Sequence, residues 1–491
     1  MATLPVFLNV HAEQQLTLER PVDAAPAPLP VPNPTKSFWI DTPGANPLAK
    51  EGSQGPLTAD ADIAIIGSGI SGVSAAYHLS RLLAESGDTS KPLKILILEA
   101  RDFCSGATGR NGGHLTANAF EEFTAYSALF GTEEAKRAIA LEKRTVSEIV
   151  NLTKQTSSED ALDLVPGGRV NLLFTQPEVV QAKLDLEAAK AAGIDVSHVD
   201  FLTKEDVEKE YGAPYPAFRT PGYNIWPLKL VTHLYNLGKA LGEDSSTSSL
   251  HLHTNTPVTG ITAISDAASS RRWNLTTPRG PIAASYVLHA TNAYASHLLP
   301  QLRGPSGIVP TRGQIIATRA AVSEQALTRS AFTGNEGFEY WFPRPLEPGQ
   351  TNPLVILGGG REATKPTFEL YVTDDSTVNP AVGEALRKFL PAVFPGKYED
   401  GKEPEMEWSG IMGFTKTGDP FVGPIIDPSE PKSTAYAGQY ISAGFTGHGM
   451  PRTFSCAEAV AQMMVADIQG KEWSAPEWLP RHHLTSNRLG E

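Results

Sequence analysis

The chain has 491 residues, 41% of them apolar, and a formal net charge of −13 from 41 Lys and Arg against 54 Asp and Glu. That length exceeds one ordinary domain and predicts two closely packed ones with ample core. The acidic balance, with no block of like charge, excludes nucleic acid and anionic membranes as partners, because both attract basic surfaces; Cys104 and Cys456 are the only cysteines and no metal-ligand spacing occurs, so neither a disulfide framework nor a metal centre is expected.

The first residues, Met1 to Glu13, have no basic flank and no long apolar run, which predicts no signal peptide. No stretch approaches a membrane span, and Arg488 to Glu491 carries no peroxisomal or retention signal, so a cytoplasmic protein is the expectation. Pro21, Pro26, Pro28, Pro30, Pro32 and Pro34 predict an extended, non-helical extension over residues 1–60. Within it, Ser37-Phe38-Trp39-Ile40 is the part with apolar surface to bury, and it is expected to dock on the main body.

Ile63 to Ile66 form a short apolar run, the pattern of a strand buried on both faces. Gly67, Ser68, Gly69, Ile70, Ser71 and Gly72 follow with G-x-G-x-x-G spacing, and Val73 to Leu79 reads as a helix. The first glycine permits a tight turn, the second lets backbone approach a pyrophosphate, and the third lets helix and strand pack closely. The helix N-terminus then points free N–H groups at the anion. Lys94 to Leu98 predicts a second strand ending in Glu99, a carboxylate able to accept hydrogen bonds from a ribose diol. Residues 84–92 are turn-rich and account for the long spacing as a loop. These features together predict a dinucleotide site.

The loop Ala100 to Leu115 contains Gly106, Gly109, Gly112 and Gly113, so its backbone is expected to lie close against a ligand on the side where the dinucleotide would lie. Residues 119–160, 177–192 and 203–211 read as helices and residues 168–175 as a strand. Another helix opens after Tyr223 to Leu230. Leu250 to Val258 and Tyr286 to Ala293 read as strands, and Trp273 to Thr277 as part of a hairpin. From 306 to 404 longer strands dominate, at 314–318, 338–342 and 354–357, the last followed by Gly358-Gly359-Gly360; a helix near 381–395 closes the block. Tyr436 to Ala443 runs into Gly444 to Arg452 and then a helix, with Pro451 expected in its first turn. Tyr223, Tyr340, Trp341 and Phe445 are candidate walls of a pocket for a substrate with an apolar or cationic body.

Gly67-x-Gly69-x-x-Gly72, Glu99-Ala100, Gly106 to Gly113 and Gly444 to Met450, in that order, resemble the D-amino-acid-oxidase-like family of FAD-dependent amine oxidoreductases over roughly residues 60–470. The γ-glutamylputrescine oxidase and sarcosine oxidase branches are the nearest in texture. The resemblance implies an α/β architecture: a Rossmann-like FAD-binding domain interleaved with an α+β substrate domain built on a mostly antiparallel sheet. The implied segments are a Pro-rich extension (1–60), FAD-binding segments (61–118, 219–305, 405–480), substrate segments (119–218, 306–404) and a tail (481–491). It implies that Gly67 to Gly72 hold the pyrophosphate and Glu99, Ala100 and Arg101 the ribose side. Gly106, Ala107, Thr108, Arg110, Asn111, Gly112, Gly113, His114 and Leu115 would run along the cofactor. Val258 would meet adenine, and Ala290, Thr291, Asn292, Gly410, Met412, Gly447, His448, Gly449 and Met450 would border the remainder.

The implied reaction moves a hydride from the carbon beside an amine to flavin N5; the imine hydrolyses, and oxygen reoxidises the flavin with release of peroxide. His448 matches the active-site histidine of the sarcosine oxidase branch. Three positions depart from that branch. Pro451 stands in place of the carboxylate-binding lysine, and Ile356 in place of the oxygen-activating one, a role for which Lys416 is the candidate. Met412 stands near the flavin-tethering cysteine, which implies dissociable FAD. The alternatives are a dehydrogenase with another electron acceptor, oxidation of a larger biosynthetic intermediate, or a flavin redox sensor without catalysis.

Overall fold

A computed structural model describes residues 3–89, 91–266 and 269–488. Ser90, inside the expected 84–92 turn, and Leu489 to Glu491 of the tail lie outside the described residues. The Asp60–Ile66 strand is buried along its length after Asp60, as an apolar run without polar interruption requires. It pairs in parallel with Leu93–Leu98 on one side and Ile282–His289 on the other. The full order is Phe421–Pro424, Gln439–Ala443, Ile282–His289, Asp60–Ile66, Leu93–Leu98 and Ser248–His253, with only the Phe421–Pro424 edge antiparallel along it.

Alternate residues of the central strand feed two cores. Ile63 and Ile65 face the helices Ile70–Ser86, Pro227–Ser245 and Thr453–Ile468. Ala64 and Ile66 face Val258, Trp273 and Leu275, carried by the antiparallel Gly260–Ala263 and Trp273–Thr276 hairpin. Burying both faces is what makes such a run read as continuous rather than alternating.

A second sheet has the order Met406–Phe414, Val309–Arg319, Leu354–Gly358, Glu339–Pro343, Ala331–Gly334, Arg169–Leu172, Ala217–Thr220 and Asp200–Leu202. Its pairs are antiparallel except Ala331–Gly334 with Arg169–Leu172. Trp341, Val355 and Leu357 pack on one face under the helix Pro380–Val393, while Phe342, Ile356 and Trp408 turn to the opposite face. The strand Met406–Phe414 begins just past the expected boundary at 405 and pairs with Val309–Arg319 of this second sheet.

The N-terminal extension is not uniformly extended. A helix, His11–Glu19, precedes the first of the prolines and buries Val10 and Leu18 against Phe338, Phe368 and Phe414. Ser37–Ile40 docks as expected: Phe38 and Trp39 form a short helical turn, and Trp39 is fully buried. The last helix starts at Thr453 with Arg452 at its N-cap, so Pro451 lies before the first turn rather than in it.

Candidate active site

The glycine turn follows the Asp60–Ile66 strand at its C-terminal end, where parallel strands leave a crevice. Gly67 has φ +114° and lies so close to Ala290 that an added Cβ would sit 2.5 Å from the Ala290 carbonyl oxygen. At Gly72 a Cβ would collide with the Gly67 carbonyl oxygen and touch Ile65. At Gly69 it would fill the space beside the Thr108 hydroxyl, 3.1 Å away. No side chain caps the Ile70–Ser86 helix, whose N-cap is Gly69, so its first turn keeps N–H groups for an anion. The Ile70 amide is spoken for by Thr108 Oγ1 at 3.1 Å.

Glu99 stands at the tip of the neighbouring strand. Its Oε2 accepts from the Ser68 amide at 3.0 Å and the Ser68 hydroxyl at 2.8 Å, and its Oε1 accepts from the Arg101 amide at 2.9 Å. Oε1 keeps acceptor capacity for a diol, while Oε2 already accepts two bonds. Uncapped helix, tight glycines and fixed acid form a donor and acceptor set that fits the pyrophosphate and ribose of FAD.

The loop from Arg101 to Leu115 is held from behind. The Arg101 guanidinium donates to both oxygens of Asp375, at 2.9 and 3.1 Å, and to the Ser105 carbonyl. Arg110 donates to the carbonyls of Ser105 and Ser409 at 2.9 Å and to Thr35 Oγ1 at 3.2 Å. Both cationic groups are therefore committed to protein, and their backbones are what border the cradle. Gly106 and Ala107 keep partial exposure, and Asn111 Oδ1 accepts from the Gly113 amide. Gly112 lies against the Tyr340 ring, and Gly113, at φ +76°, against the Trp39 ring and the Ile225 carbonyl.

His114 and Leu115 pair with Asn224 and Tyr223 in a two-stranded ribbon. Burial lowers the His114 imidazole to about 4, so it is neutral at pH 7. Neither its ring nitrogens nor the Asn224 amide atoms have a hydrogen-bond partner among the described residues. Asn224 is a polar neighbour of the cradle that sequence reasoning missed; its signal is an asparagine inside a buried strand-like run, where a free amide is costly.

Three further turns close on the cradle. Val258 is buried in the core with Trp273 and Leu275. Thr291 is next to Ala290, with its hydroxyl buried and without a hydrogen-bond partner among the described residues. Asn292, at φ +45°, accepts from the Gly444 amide at 2.9 Å and fastens the C-terminal turn. Gly410 faces the Arg110 stem, and Met412 Sδ lies 3.2 Å from where a Cβ on Gly447 would stand. Gly449 accepts from the Thr453 hydroxyl, and Met450 is buried in the main core.

His448, with 41% of its side chain exposed, extends from this turn to Glu142 on the Thr132–Gln155 helix, Nε2 to Oε2 at 3.0 Å. Glu142 also accepts from Arg452 Nε at 2.7 Å and from the Asn118 amide at 2.7 Å. Burial opposes its charge, but His448, Arg452 and the amide hold the carboxyl down at about 2. Arg452 reaches on to Asp419, which Tyr126, His482 and His483 also contact.

The aromatic candidates divide. Tyr340 faces the cradle, with its ring over Gly358 and Gly112 and edge-on to His114 at 5.6 Å between centroids. Tyr223 is half-buried on the ribbon beside Leu115. Strand alternation turns Trp341 to the face opposite Tyr340, stacked on Phe332 and packed on Phe389 in the core under the Pro380–Val393 helix. Phe445 is also core, buried with Met450 and Phe454. Lys416 is exposed in the turn after Met406–Phe414, its carbonyl accepts from Gln15, and among the described residues its side chain makes no hydrogen bond or ion pair.

The fold and this crevice define a dinucleotide-dependent redox enzyme. The chain belongs to the FAD dependent oxidoreductase family, DAO, which matches residues 62–463. It is 23% identical over 420 residues to the probable oxidoreductase OrdL of Rhizobium meliloti, covering 83% of this chain and 84% of that one. It is 22% identical over 412 residues to the gamma-glutamylputrescine oxidoreductase of Escherichia coli, with the same coverage. The crystal structure of glycine oxidase from Geobacillus kaustophilus superposes with a TM-score of 0.61 at 20% identity, over 85% of this chain and 97% of that chain, and shows the fold. The protein is an enzyme and FAD is its cofactor. Among the described residues no helix is long and apolar enough to cross a membrane.

Proposed function

We propose that this oxidoreductase oxidises the C–N bond of a small amine or amino acid. Bound FAD supplies a two-electron acceptor for hydride from the carbon next to nitrogen. The turn at Gly67 to Gly72 would receive the pyrophosphate and Glu99 the ribose, Val258 would border adenine, and the backbone from Arg110 to His114 would track the cofactor. Gly410, Met412 and the turn from Gly447 to Met450 would border its ring, so that residues 61–118, 219–305 and most of 405–480 serve the cofactor and the second sheet serves the substrate.

The observation that carries the reading is the half-exposed His448, held 3.0 Å from the buried Glu142 carboxylate on the turn that would border the ring. An amine must shed its ammonium proton before hydride leaves. A half-exposed imidazole held on a buried carboxylate can receive that proton. FAD is expected to be dissociable, because Met412 cannot form a tether and burial pushes the Cys104 thiol well up, away from the reactive thiolate. The expected partners are the amine and either oxygen or another acceptor.

A dehydrogenase is the second reading. Ile356 is an apolar core residue and Lys416 is exposed, and both support this reading. Aerobic incubation with a panel of primary and secondary amines, read for carbonyl product and for peroxide, tests both. Carbonyl product is required by either reading, peroxide favours the oxidase, and carbonyl formed only with an added dye favours the dehydrogenase. No product from any amine, with or without dye, contradicts the proposal.

A further inference from the structure

Asp419 has no part in the cofactor cradle, yet donors from three separate elements close on it. It follows the strand Met406–Phe414 by a short turn and is fully buried. Tyr126, on the helix Phe123–Phe130, donates its hydroxyl to Oδ1, and Arg452 Nη1 lies 3.4 Å from the same oxygen. The C-terminal segment adds His483, with Nε2 3.1 Å from Oδ1, and His482, with Nε2 3.2 Å from Oδ2. Burial opposes the charge on Asp419, but the two histidines and Arg452 hold its carboxyl well below the usual carboxylate range. A buried ion pair is weak evidence for stability, so a carboxylate gripped this heavily calls for another role.

The histidines are held in turn. Glu134 Oε2 accepts from His482 Nδ1 at 2.9 Å and from the Arg481 amide at 2.6 Å, and the His482 ring stacks on Phe130 at 4.0 Å between centroids. The Arg488 guanidinium lies over the Phe421 ring and donates to the carbonyls of Asp419 and Pro420 at 2.7 and 2.9 Å. Residues 481–488 therefore strap down the turn that carries Asp419, and they lie outside the family match at residues 62–463. The strap bears on His448 through two contacts. Arg452 Nη1 is fixed by the Gly418 carbonyl and Asp419, which aims its Nε at Glu142 Oε1. Glu142 Oε2 is left to the Asn118 amide and to His448 Nε2. An ionised carboxylate only accepts, so a neutral His448 carries its proton on Nε2 and keeps the Nδ1 lone pair open. Among the described residues, the charged and titratable groups in hydrogen-bond or ion-pair contact with Asp419 are Tyr126, Arg452, His482 and His483, and those with Glu142 are Arg452 and His448.

We propose that Asp419, gripped by His482 and His483, is a positioning residue: through Arg452 and Glu142 it fixes the His448 ring with Nδ1 as the atom that takes the substrate's ammonium proton. This rests on the amine-oxidising reading given above. In that step an N–H bond of the ammonium breaks, its electron pair stays on the amine nitrogen, and the proton forms an Nδ1–H bond. The imidazolium that results lies against the Glu142 carboxylate. Asp419 touches neither substrate nor cofactor; its charge offsets that of Arg452. Without it an uncompensated guanidinium draws on Glu142 and disfavours the imidazolium. A C-terminal strap thus tunes a base carried by the common fold.

The test is anaerobic rapid mixing of the FAD-loaded protein with an amine that bleaches the parent flavin, followed across about pH 5–10, with FAD content and melting temperature measured on every sample. Asp419→Asn should slow flavin reduction about tenfold or more at neutral pH and move the acid limb of the profile to lower pH, at unchanged FAD content. The dissociation constant for the amine should change less than the rate. His483→Phe, which removes a donor to Asp419, should slow reduction at least a few-fold. His483→Gln, whose amide nitrogen can reach Oδ1, should restore most of it, so an Asn variant that misfolds leaves the pair at position 483 to decide. An Asp419→Asn protein with the parent's rate and acid limb, a loss that merely tracks FAD content or melting temperature, or a His483→Gln protein no faster than His483→Phe overturns the positioning role. A parent flavin that no amine bleaches brings down the earlier reading, and this role with it.

Discussion

Glu142 shows how much of the site depends on one residue remote from it in sequence. Its carboxylate is shared by His448 and Arg452, 306 and 310 positions away, and it is 1% exposed. With its folded value near 2 against an ordinary 4.5, the group contributes about 3 kcal/mol at neutral pH. The value is lowered in the folded state, so this stability is present above about pH 4.5 and is lost as pH falls toward 2. Glu142→Gln should cost about 3–5 kcal/mol, because Arg452 is left buried beside a neutral amide, and should flatten the acid limb of a stability-against-pH curve; thermal melts from pH 7 to 3 measure both. Gly72→Ala is expected to drive a methyl into the Gly67 carbonyl, costing about 1–3 kcal/mol and abolishing FAD retention through desalting. The glycine spacing and Glu99 were readable because a turn and a strand tip are local features. Glu142 was not, since Leu141-Glu142-Lys143-Arg144 reads like any amphipathic helix and only the tertiary fold brings His448 to it.

Among elements, the Ser37–Asp41 segment acts as a brace for the loop from Gly109 to Gly113. Ser37 Oγ donates to the Gly109 carbonyl, Trp39 Nε1 to the Asn111 carbonyl, and the Trp39 ring fills the space against Gly113. Trp39→Ala should cost about 3–5 kcal/mol and loosen the loop, and it is expected to raise the FAD dissociation constant more than it lowers the melting temperature of the cofactor-free protein; fluorescence titration with FAD against apo melts separates the two. This docking was legible because Phe38-Trp39 is conspicuous in a Pro-rich stretch. The His11–Glu19 helix was not, because its apolar contacts are few and its anchors, Gln14 and Gln15, are polar side chains that look solvated in sequence. Tyr340 and Trp341 show a simpler limit: adjacent aromatics on a strand face opposite ways, and the sequence does not say which one faces the Gly112 loop.

For the whole molecule, two sheets meet so that the turns of the parallel one abut the antiparallel one: Gly112 with Tyr340, Asn292 with Gly413, Gly447 with Met412. The candidate site lies at that junction, which explains why its residues are scattered through the chain. Acid precipitation should leave the yellow cofactor in the supernatant; colour in the pellet would mean a covalent link. The most direct test of amine oxidation is anaerobic mixing of the FAD-loaded protein with amines and with hydroxy acids of matching skeleton, following the visible flavin absorbance. Stoichiometric bleaching by at least one amine, and none by its hydroxy counterpart, is the predicted result. A flavin that dithionite bleaches but no amine does would contradict it.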